Sequence, residues 1–555
     1  MNRFAELLDR LAFEPSRNGK LRLMTDYFRR RPDPERGFAL AALTGSLAFA
    51  HAKPALIRAL IEARVDPVLF RLSYDYVGDL SETVALLWPR QTQAQDQART
   101  AAAAGENGFA PSLSEIVAAL AHAGKRDLPR LLAGWLDALD ETGRWALLKL
   151  ITGALRVGVS ARLAKTALAD LGGRDPNDVE EIWHGLAPPY LELFAWLEGR
   201  APRPASDDPA PFRAPMLAHP LEAGDLAALD PADFAAEWKW DGIRVQAIRA
   251  EAGGRSVARL YSRTGEDVGA AFPDLVEALH GLAGERFAVD GELLILRAGR
   301  VQSFSTLQQR LNRKSVTAKL IDEFPAHLRL YDCLAEGGED LREQSYDARR
   351  ARLAALVERI AHPALDLSPQ IAFASWEDVA RLRAAPDHPE DAEAIEGVML
   401  KRRDSAYVPG RPKGPWWKWK RDPFNVDAVL MYAQRGHGKR SSFYSDFTFG
   451  VWRAGETGDE LVPVGKAYFG FTDDELRELD RYVRNNTVDR FGPVRVVGHG
   501  PDRGLVLEIA FEGLARSTRH KSGVAMRFPR IARIRWDKPA AEADRLATLE
   551  AMIAE

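Results

Sequence analysis

Glu237-Trp238-Lys239-Trp240-Asp241-Gly242-Ile243-Arg244 decides how this chain is read. It lies in a β-type apolar run over residues 234–248, so Lys239 stands between tryptophans inside a strand. An unpaired ammonium is costly in such surroundings. A free lysine holds its proton up to a pH of about 10.4, so it becomes a nucleophile only when desolvated or crowded by other cations. Asp241-Gly242 then makes a tight turn, and Arg244 presents a guanidinium fork suited to an anion. On these eight residues alone two readings stand level: a nucleophilic lysine, and a strand-end lysine held in a salt bridge.

Further pieces follow in order. Ser262-Arg263-Thr264-Gly265-Glu266-Asp267 sets a guanidinium at a strand end. Asp290-Gly291-Glu292 places carboxylates within a strand, and Tyr331-Asp332 ends another. Glu396-Gly397-Val398-Met399-Leu400-Lys401 repeats the theme of charge, glycine and apolar strand. Trp416-Trp417-Lys418-Trp419-Lys420 puts two lysines at period two, hence on one strand face. Met526-Arg527-Phe528-Pro529-Arg530 closes the series. Each piece alone has a plain structural reading: a turn with a solvated Glu, a core aromatic, surface arginines, an Arg263 paired with Glu266. Their joint order brings together one candidate nucleophile, several phosphate-binding cations and two carboxylates able to hold a divalent metal, a set suited to attack on a nucleoside triphosphate.

Outward from these motifs, 555 residues exceed a single hydrophobic core and predict about three domains. No apolar run approaches the length of a membrane span. Residues 1–10 read as an amphipathic helix and not as a signal peptide. The single cysteine, Cys333, excludes an internal disulfide and any zinc site needing two cysteines, and reads as a buried small hydrophobe. Together these point to the cytoplasm. The net charge of -3 conceals segregation, because residues 401–439 are rich in Lys and Arg while 201–233 and 541–555 lean acidic.

Residues 1–205 read as helical, with apolar periodicity at 39–50, 55–63, 113–121, 128–139 and 145–155, and a low-complexity excursion at 91–108. Residues 206–421 read as a mixed α/β domain. It has strands at 257–262, 287–296 and 327–331 and helices at 274–282, 305–310 and 346–360. Residues 422–540 carry strands at 426–432, 443–452, 461–468, 494–499 and 505–511, which suggest a small barrel, and 541–555 form a tail. The fold class is therefore multidomain α+β.

The ordered motifs closely resemble those of the ATP-dependent DNA ligases, members of the covalent nucleotidyltransferases, whose first signature Lys-x-Asp-Gly-x-Arg is present as Lys239 to Arg244. The resemblance spans residues 215–538. Tyr76-Val77-Gly78-Asp79-Leu80 and Leu155-Arg156-Val157-Gly158 resemble weaker signatures of the helical DNA-binding domain in three-domain ligases; a helix end with a glycine cap is the plain alternative. The resemblance implies a DNA-binding helical domain, an adenylation domain and an oligonucleotide-binding (OB) barrel. It implies sealing of nicks in duplex DNA, in repair, replication or recombination, through a lysine–AMP adduct and a DNA-adenylate. ATP and Mg²⁺, with Mn²⁺ as an alternative, are the implied cofactors; nicked duplex DNA is the partner, and a monomer suffices. Residue by residue, Lys239 is the nucleophile and Glu237 contacts the adenine end. Arg244 and Glu292 hold the ribose region, Arg263 binds the nucleotide or nick phosphate, and Tyr331 stacks on adenine. Glu292 and Glu396 place the metal, Lys418 and Lys420 bind the α-phosphate, and Arg527 orients the leaving pyrophosphate. Crowding by Lys418, Lys420 and Mg²⁺ is expected to favour neutral Lys239.

Pro412 departs from the family pattern, which often has a basic residue there; Arg411 or Lys413 is the nearest substitute. The basic turn Gln434–Arg440 and the segment Ser517–Lys521 read as phosphate contacts of the barrel or as solvated tips. A hinge at residues 421–425 is expected to let the barrel bring Arg527 over the site for the ATP step and withdraw it for the nick. RNA ligases and capping guanylyltransferases share the lysine chemistry but usually lack a long helical N-terminal domain. An NAD-dependent ligase would need a cysteine zinc site. A catalytically dead nucleic-acid scaffold sits poorly with the unbroken motif set.

Overall fold

The computed structural model describes residues 1–89, 111–153, 155–205, 208–222, 224–311, 313, 315–387, 389–436, 442–456, 458–518 and 520–553. The low-complexity stretch at 91–108, the tip of the basic turn at 437–440 and Arg519 lie outside them. The chain divides into two compact units. One holds Met1–Leu171, Pro188–Leu191 and Pro423–Glu555; the other holds Gly172–Ala187 and Glu192–Asp422.

The N-terminal part of the first unit is helical. Asn2–Phe13 turns Phe4, Leu7, Leu8 and Leu11 inward and leaves its charged residues outside, as its amphipathic pattern predicts. Helices Pro54–Glu62, Leu113–His122, Leu128–Ala138 and Glu141–Thr152 fall where the periodicity places them. The apolar run at 39–50 gives only Glu35–Leu43. There Thr44 turns its hydroxyl back onto the Leu40 carbonyl, a local bond that competes with further helix.

In the second unit, strands are numbered β1 (Phe234–Trp240), β2 (Ile243–Ala252), β3 (Arg255–Ser262), β4 (Phe287–Arg297), β5 (Ala326–Glu336), β6 (Ile395–Arg402) and β7 (Trp416–Lys420). One sheet runs β7-β6-β1, flanked by His219–Pro220 and Gln370–Ile371; the other runs β3-β2-β4-β5 and ends at Glu339–Asp340. Alternation sorts the first sheet's side chains. Phe234, Ala236, Trp238 and Trp240 of β1, Val398 and Leu400 of β6 and Trp417 of β7 share one apolar core. Glu237, Lys239, Met399, Lys401, Lys418 and Lys420 take the opposite face. In the second sheet Val245, Ala247, Val289, Leu293 and Ile295 pack with Leu353 and Leu356 of helix Tyr346–Ile360.

Beyond Asp422 the barrel region carries β8 (Phe424–Arg435), β9 (Tyr444–Gly455), β10 (Gly458–Ala467), β11 (Thr487–Phe491), β12 (Val494–Val497), β13 (Val506–Phe511), β14 (Gly513–Arg516), β15 (Val524–Arg527) and β16 (Arg530–Arg535). The sheet order is β10-β9-β8-β12-β11, and β13 joins β8 to β16. β8 pairs with β13 through Phe424–Val429 and with β12 through Tyr432–Gln434, so one long strand serves two partners on the same edge, as in a curled, OB-fold-like sheet. Two features are absent from the elements expected above. Helix Asp473–Asn486, with a complete capping box at Thr472 and Glu475, packs Leu476, Leu479 and Val483 into this core. The segment after 541, expected to be a tail, docks on the barrel: Leu546 and Leu549 enter the core, Trp452 Nε1 donates to Ala540 O at 2.7 Å, and Arg545 pairs with Asp459 at 2.5 Å.

Candidate active site

The site forms where side chains of the two α/β sheets meet. Lys239 lies on β1, with 23% of its side chain exposed, and donates to Glu396 of β6. Glu396 stands at a β-bulge, because the register between β6 and β1 shifts from Ile395 to Gly397. Gly397 has φ 148°, and a Cβ there would collide with the Trp419 carbonyl of β7, so only glycine lets three strands close at this point. Gly242, at the β1–β2 turn, is equally confined: a Cβ would lie 2.5 Å from the Leu293 carbonyl.

The protein's own charges around Lys239 favour the ammonium. Burial favours the neutral amine, but Glu396, Glu292 and Asp241 together outweigh it and hold the ammonium above the ordinary lysine range. Lys239 thus forms a salt bridge with Glu396. Burial pushes Glu292 up to about 8, with Lys239 and Arg244 opposing and Glu396 and Asp241 adding to the shift. Lys420 Nζ lies 3.7 Å from Glu396. Lys418 is pushed below the usual lysine range by burial and by Arg411, Lys420, Lys239 and Arg263. Arg263, exposed on the chain after β3, is likewise lowered by burial, Arg244 and Arg411. Of the two substitutes for a base at Pro412, Arg411 thus faces the cation group, whereas Lys413 lies 3.6 Å from Asp225 and 5.7 Å from the Trp417 ring centroid.

Glu237 is 2% exposed and accepts from Tyr346 and, at 2.9 Å, from Lys401. Lys401, 1% exposed, also donates to the Tyr331 carbonyl at 3.3 Å and sits 4.5 Å from the Tyr331 ring centroid. Arg244 donates to Asp290 at 2.5 Å, to the Tyr407 hydroxyl at 2.9 Å and to the Met216 carbonyl at 2.5 Å. Arg349 grips Asp332 at 2.8 and 3.0 Å, both side chains wholly buried. Glu237, Asp290 and Asp332 therefore each have their own cation, the condition under which buried charge is tolerable.

Nine of the ten residues singled out from sequence belong to this unit: Glu237, Lys239, Arg244, Arg263, Glu292, Tyr331, Glu396, Lys418 and Lys420. Arg527 lies on β15 in the other unit, its guanidinium 5.3 Å from the exposed Phe528 ring. The sequence motifs assign nothing to Lys401, Asp290, Tyr346, Asp332, Arg349 or Tyr407. Lys401 was accessible, since it alternates with Gly397 and Met399 on the site face. Tyr346 and Arg349 lie on a helix whose docking decides what they touch.

Residues 215–420 match the family model of the ATP dependent DNA ligase domain, and residues 440–538 that of the ATP dependent DNA ligase C terminal region. The "Probable DNA ligase" of Koribacter versatilis is 31% identical over 580 residues, covering 99% of this chain and 96% of the relative. The chain belongs to the ATP-dependent DNA ligase family. The "DNA ligase 1" of Korarchaeum cryptofilum is 30% identical over 559 residues, 98% of this chain and 96% of that one. Among solved structures, the one titled "Pmar-Lig_PreS3" aligns over 96% of this chain and 99% of its own at TM-score 0.55 and 16% identity, which bears on fold alone.

In this ligase the two strings that resemble DNA-binding signatures also have structural roles. Gly78 follows helix Pro67–Val77, and Asp79 caps Leu80–Leu87 by accepting from Glu82 N while pairing with Lys149 at 2.6 Å. Val157 and Gly158 carbonyls accept from Lys20 at 2.5 and 3.2 Å. Tyr76, Asp79 and Arg156 come together with Trp145, Arg435 and Arg495 around a cavity of about 470 Å³. No helix among the described residues is long and apolar enough to cross a membrane.

Proposed function

We propose that this ATP-dependent DNA ligase seals nicks through a covalent Lys239–AMP adduct. The observation that carries the reading is Lys239 on a strand face shared with Glu237, Lys418 and Lys420, its ammonium bound to Glu396 and drawn by Glu292. Lys239 loses a proton and leaves Glu396. Its Nζ attacks the α-phosphorus of ATP, a P–N bond forms, and the P–O bond to pyrophosphate breaks. The nick's 5′-phosphate then takes AMP from Lys239, and the 3′-hydroxyl displaces AMP to form the phosphodiester.

Lys418 and Lys420 bind the α-phosphate and favour the charge that grows there during attack. Tyr331 stacks on adenine, with Lys401 behind it. Glu237 takes the adenine end through acceptor sites left over from Tyr346 and Lys401. Arg244, fixed by Asp290 and Tyr407, faces the ribose region with Glu292. Arg263 meets a nucleotide or nick phosphate, joined by Arg411, and Arg527 orients pyrophosphate when the barrel turns over the site. The donor set fits Mg²⁺ or Mn²⁺: Glu396 is a carboxylate beside Lys239, Glu292, pushed up to about 8 by burial, would ionise as a cation binds, and a hard cation here would complete its shell with phosphate and water. Bound there, the cation would neutralise phosphate charge and weaken the hold of both carboxylates on Lys239. The helical N-terminal region and the barrel's basic turns bind the duplex backbone without base preference. The same reading makes 1–205 the DNA-binding domain, 206–421 the adenylation domain and 422–540 the OB domain, in a monomer acting in the cytoplasm in repair, replication or recombination.

The test is incubation with α-labelled ATP and Mg²⁺, then a singly nicked duplex. The label should join the protein, move to DNA and leave as AMP. Lys239→Ala should form no adduct; an adduct in that variant would remove Lys239 as nucleophile. Preference for GTP, or for nicked RNA, would move the chain to the alternative classes.

A further inference from the structure

The strand that carries the two phosphate-binding lysines ends in a clamp that the reaction chemistry does not require. Arg383, in the last turn of helix Trp376–Ala384, donates to the Lys420 carbonyl at 2.5 Å and grips both Asp422 carboxylate oxygens at 3.0 Å. Its guanidinium carbon lies 5.0 Å from the Trp419 ring centroid, and its side chain is mostly buried. On the other side of the same strand end, Arg421 N donates to the Glu396 carbonyl at 2.8 Å, and Lys420 stands opposite Gly397. The end of β7 is thus held between β6 and a helix.

Asp422 is 87% exposed, and burial gives no reason for the chain to stop there. Yet the compact α/β unit ends at Asp422, and at Pro423 the chain re-enters the other unit. An exposed ion pair by itself stabilises a fold very little. A two-pronged arginine fork that also binds a main-chain carbonyl fixes direction as well as distance.

We infer that Arg383 is a positioning residue for the adenylation step. It fixes the end of β7 so that Lys420, and through the strand Lys418, keep their places opposite Lys239 and Glu396. It also ties Arg421 and Asp422 to the α/β unit, up to the boundary at Pro423. Arg383 touches no reacting atom; its effect passes through Lys420. The inference rests on the proposed role of Lys420, and the test separates the two.

AMP-adduct formation is measured in single turnover at saturating ATP for Arg383→Met, Asp422→Asn, Lys420→Ala and the two doubles with Lys420→Ala, each with its melting temperature. A displacement of about 1 Å at a reacting group can cost on the order of a hundredfold. Arg383→Met should therefore slow adduct formation roughly ten- to hundredfold alone, but by no more than about twofold once Lys420 is gone. Asp422→Asn keeps the carbonyl contact, lies at the surface where folding is undisturbed, and should slow the reaction by about two- to fivefold, again only while Lys420 is present. Equal losses in both backgrounds, or none in either, would overturn the clamp. A Lys420→Ala variant with undiminished adduct formation would overturn the role of Lys420 and the clamp with it.

Discussion

The α/β unit and the barrel handle charge in opposite ways. In the first, Glu237–Lys401, on the face that carries Lys239, Arg244–Asp290 and Arg349–Asp332 are buried pairs. In the second, the core cluster runs from Val426 through Phe447 and Val451 to Leu549 and is apolar, while ion pairs such as Arg453–Glu460 and Arg545–Asp459 stand at the surface. A buried pair adds little net stability over apolar packing, but each member loses a great deal without the other, so each is held in place. Exposed cations are free to follow a phosphate backbone. The contrast matches the proposed work: covalent chemistry within tight tolerances in one place, adaptable contact with a duplex in the other.

The comparison can be broken experimentally. Lys239→Ala should bring adduct formation below detection while the melting temperature barely moves, since the side chain is partly exposed. Survival of the adduct would mean that the buried frame serves a different nucleophile. Arg349→Met strands Asp332 in the core and should destabilise the α/β unit by about 3–5 kcal/mol in denaturant unfolding. In the barrel, Lys521→Ala should leave adduct formation intact, weaken nicked-duplex binding and make its salt dependence shallower by about one unit in log–log slope. Arg453→Ala should change unfolding free energy by no more than about 1 kcal/mol. A loss as large as that of Arg349→Met would erase the distinction between buried and surface pairs.

The smallest effect concerns the helical part, where one ion pair is intermediate. Burial raises Asp79, but its bonds to Lys149 and to backbone amides outweigh this and leave it below the ordinary aspartate value of 3.8. A depressed carboxylate contributes stability that is present above 3.8 and is lost as pH falls through the lowered value. Helical signal in wild type should therefore fall more steeply below that pH than in Asp79→Asn. Equal slopes would make the pair ornamental.

Local features are legible in the amino-acid order. Period-two alternation places Lys418 and Lys420 on one face, and the turn at Asp241-Gly242 divides β1 from β2. Those are local rules, because a strand's faces follow from its own backbone. Boundaries that depend on competition are not legible in the same way: the helix begun at Glu35 stops at Leu43, and residues after 541 join the barrel because Leu546 and Leu549 find its core. Helix Asp473–Asn486 was legible by the same local rules: Leu476, Leu479 and Val483 recur at helical spacing behind a capping box written in the sequence.

Within the site, sequence alone determined the inventory: which strand bears the lysine, which carboxylates and cations follow, and in what order. That order places the chain among the ATP-dependent DNA ligases. Only the tertiary structure decided which charges surround Lys239. Lys418, Lys420 and Mg²⁺ together were expected to favour neutral Lys239; the fold by itself sets Lys239 against Glu396, which favours the ammonium. Likewise only folding gave Glu237 to Lys401 and Tyr346, Arg244 to Asp290, and Arg383 to the end of the lysine strand. The reason is physical: a residue's face is a property of its own segment, whereas its protonation depends on charges brought near from far along the chain, and those distances exist only once the sheets have packed.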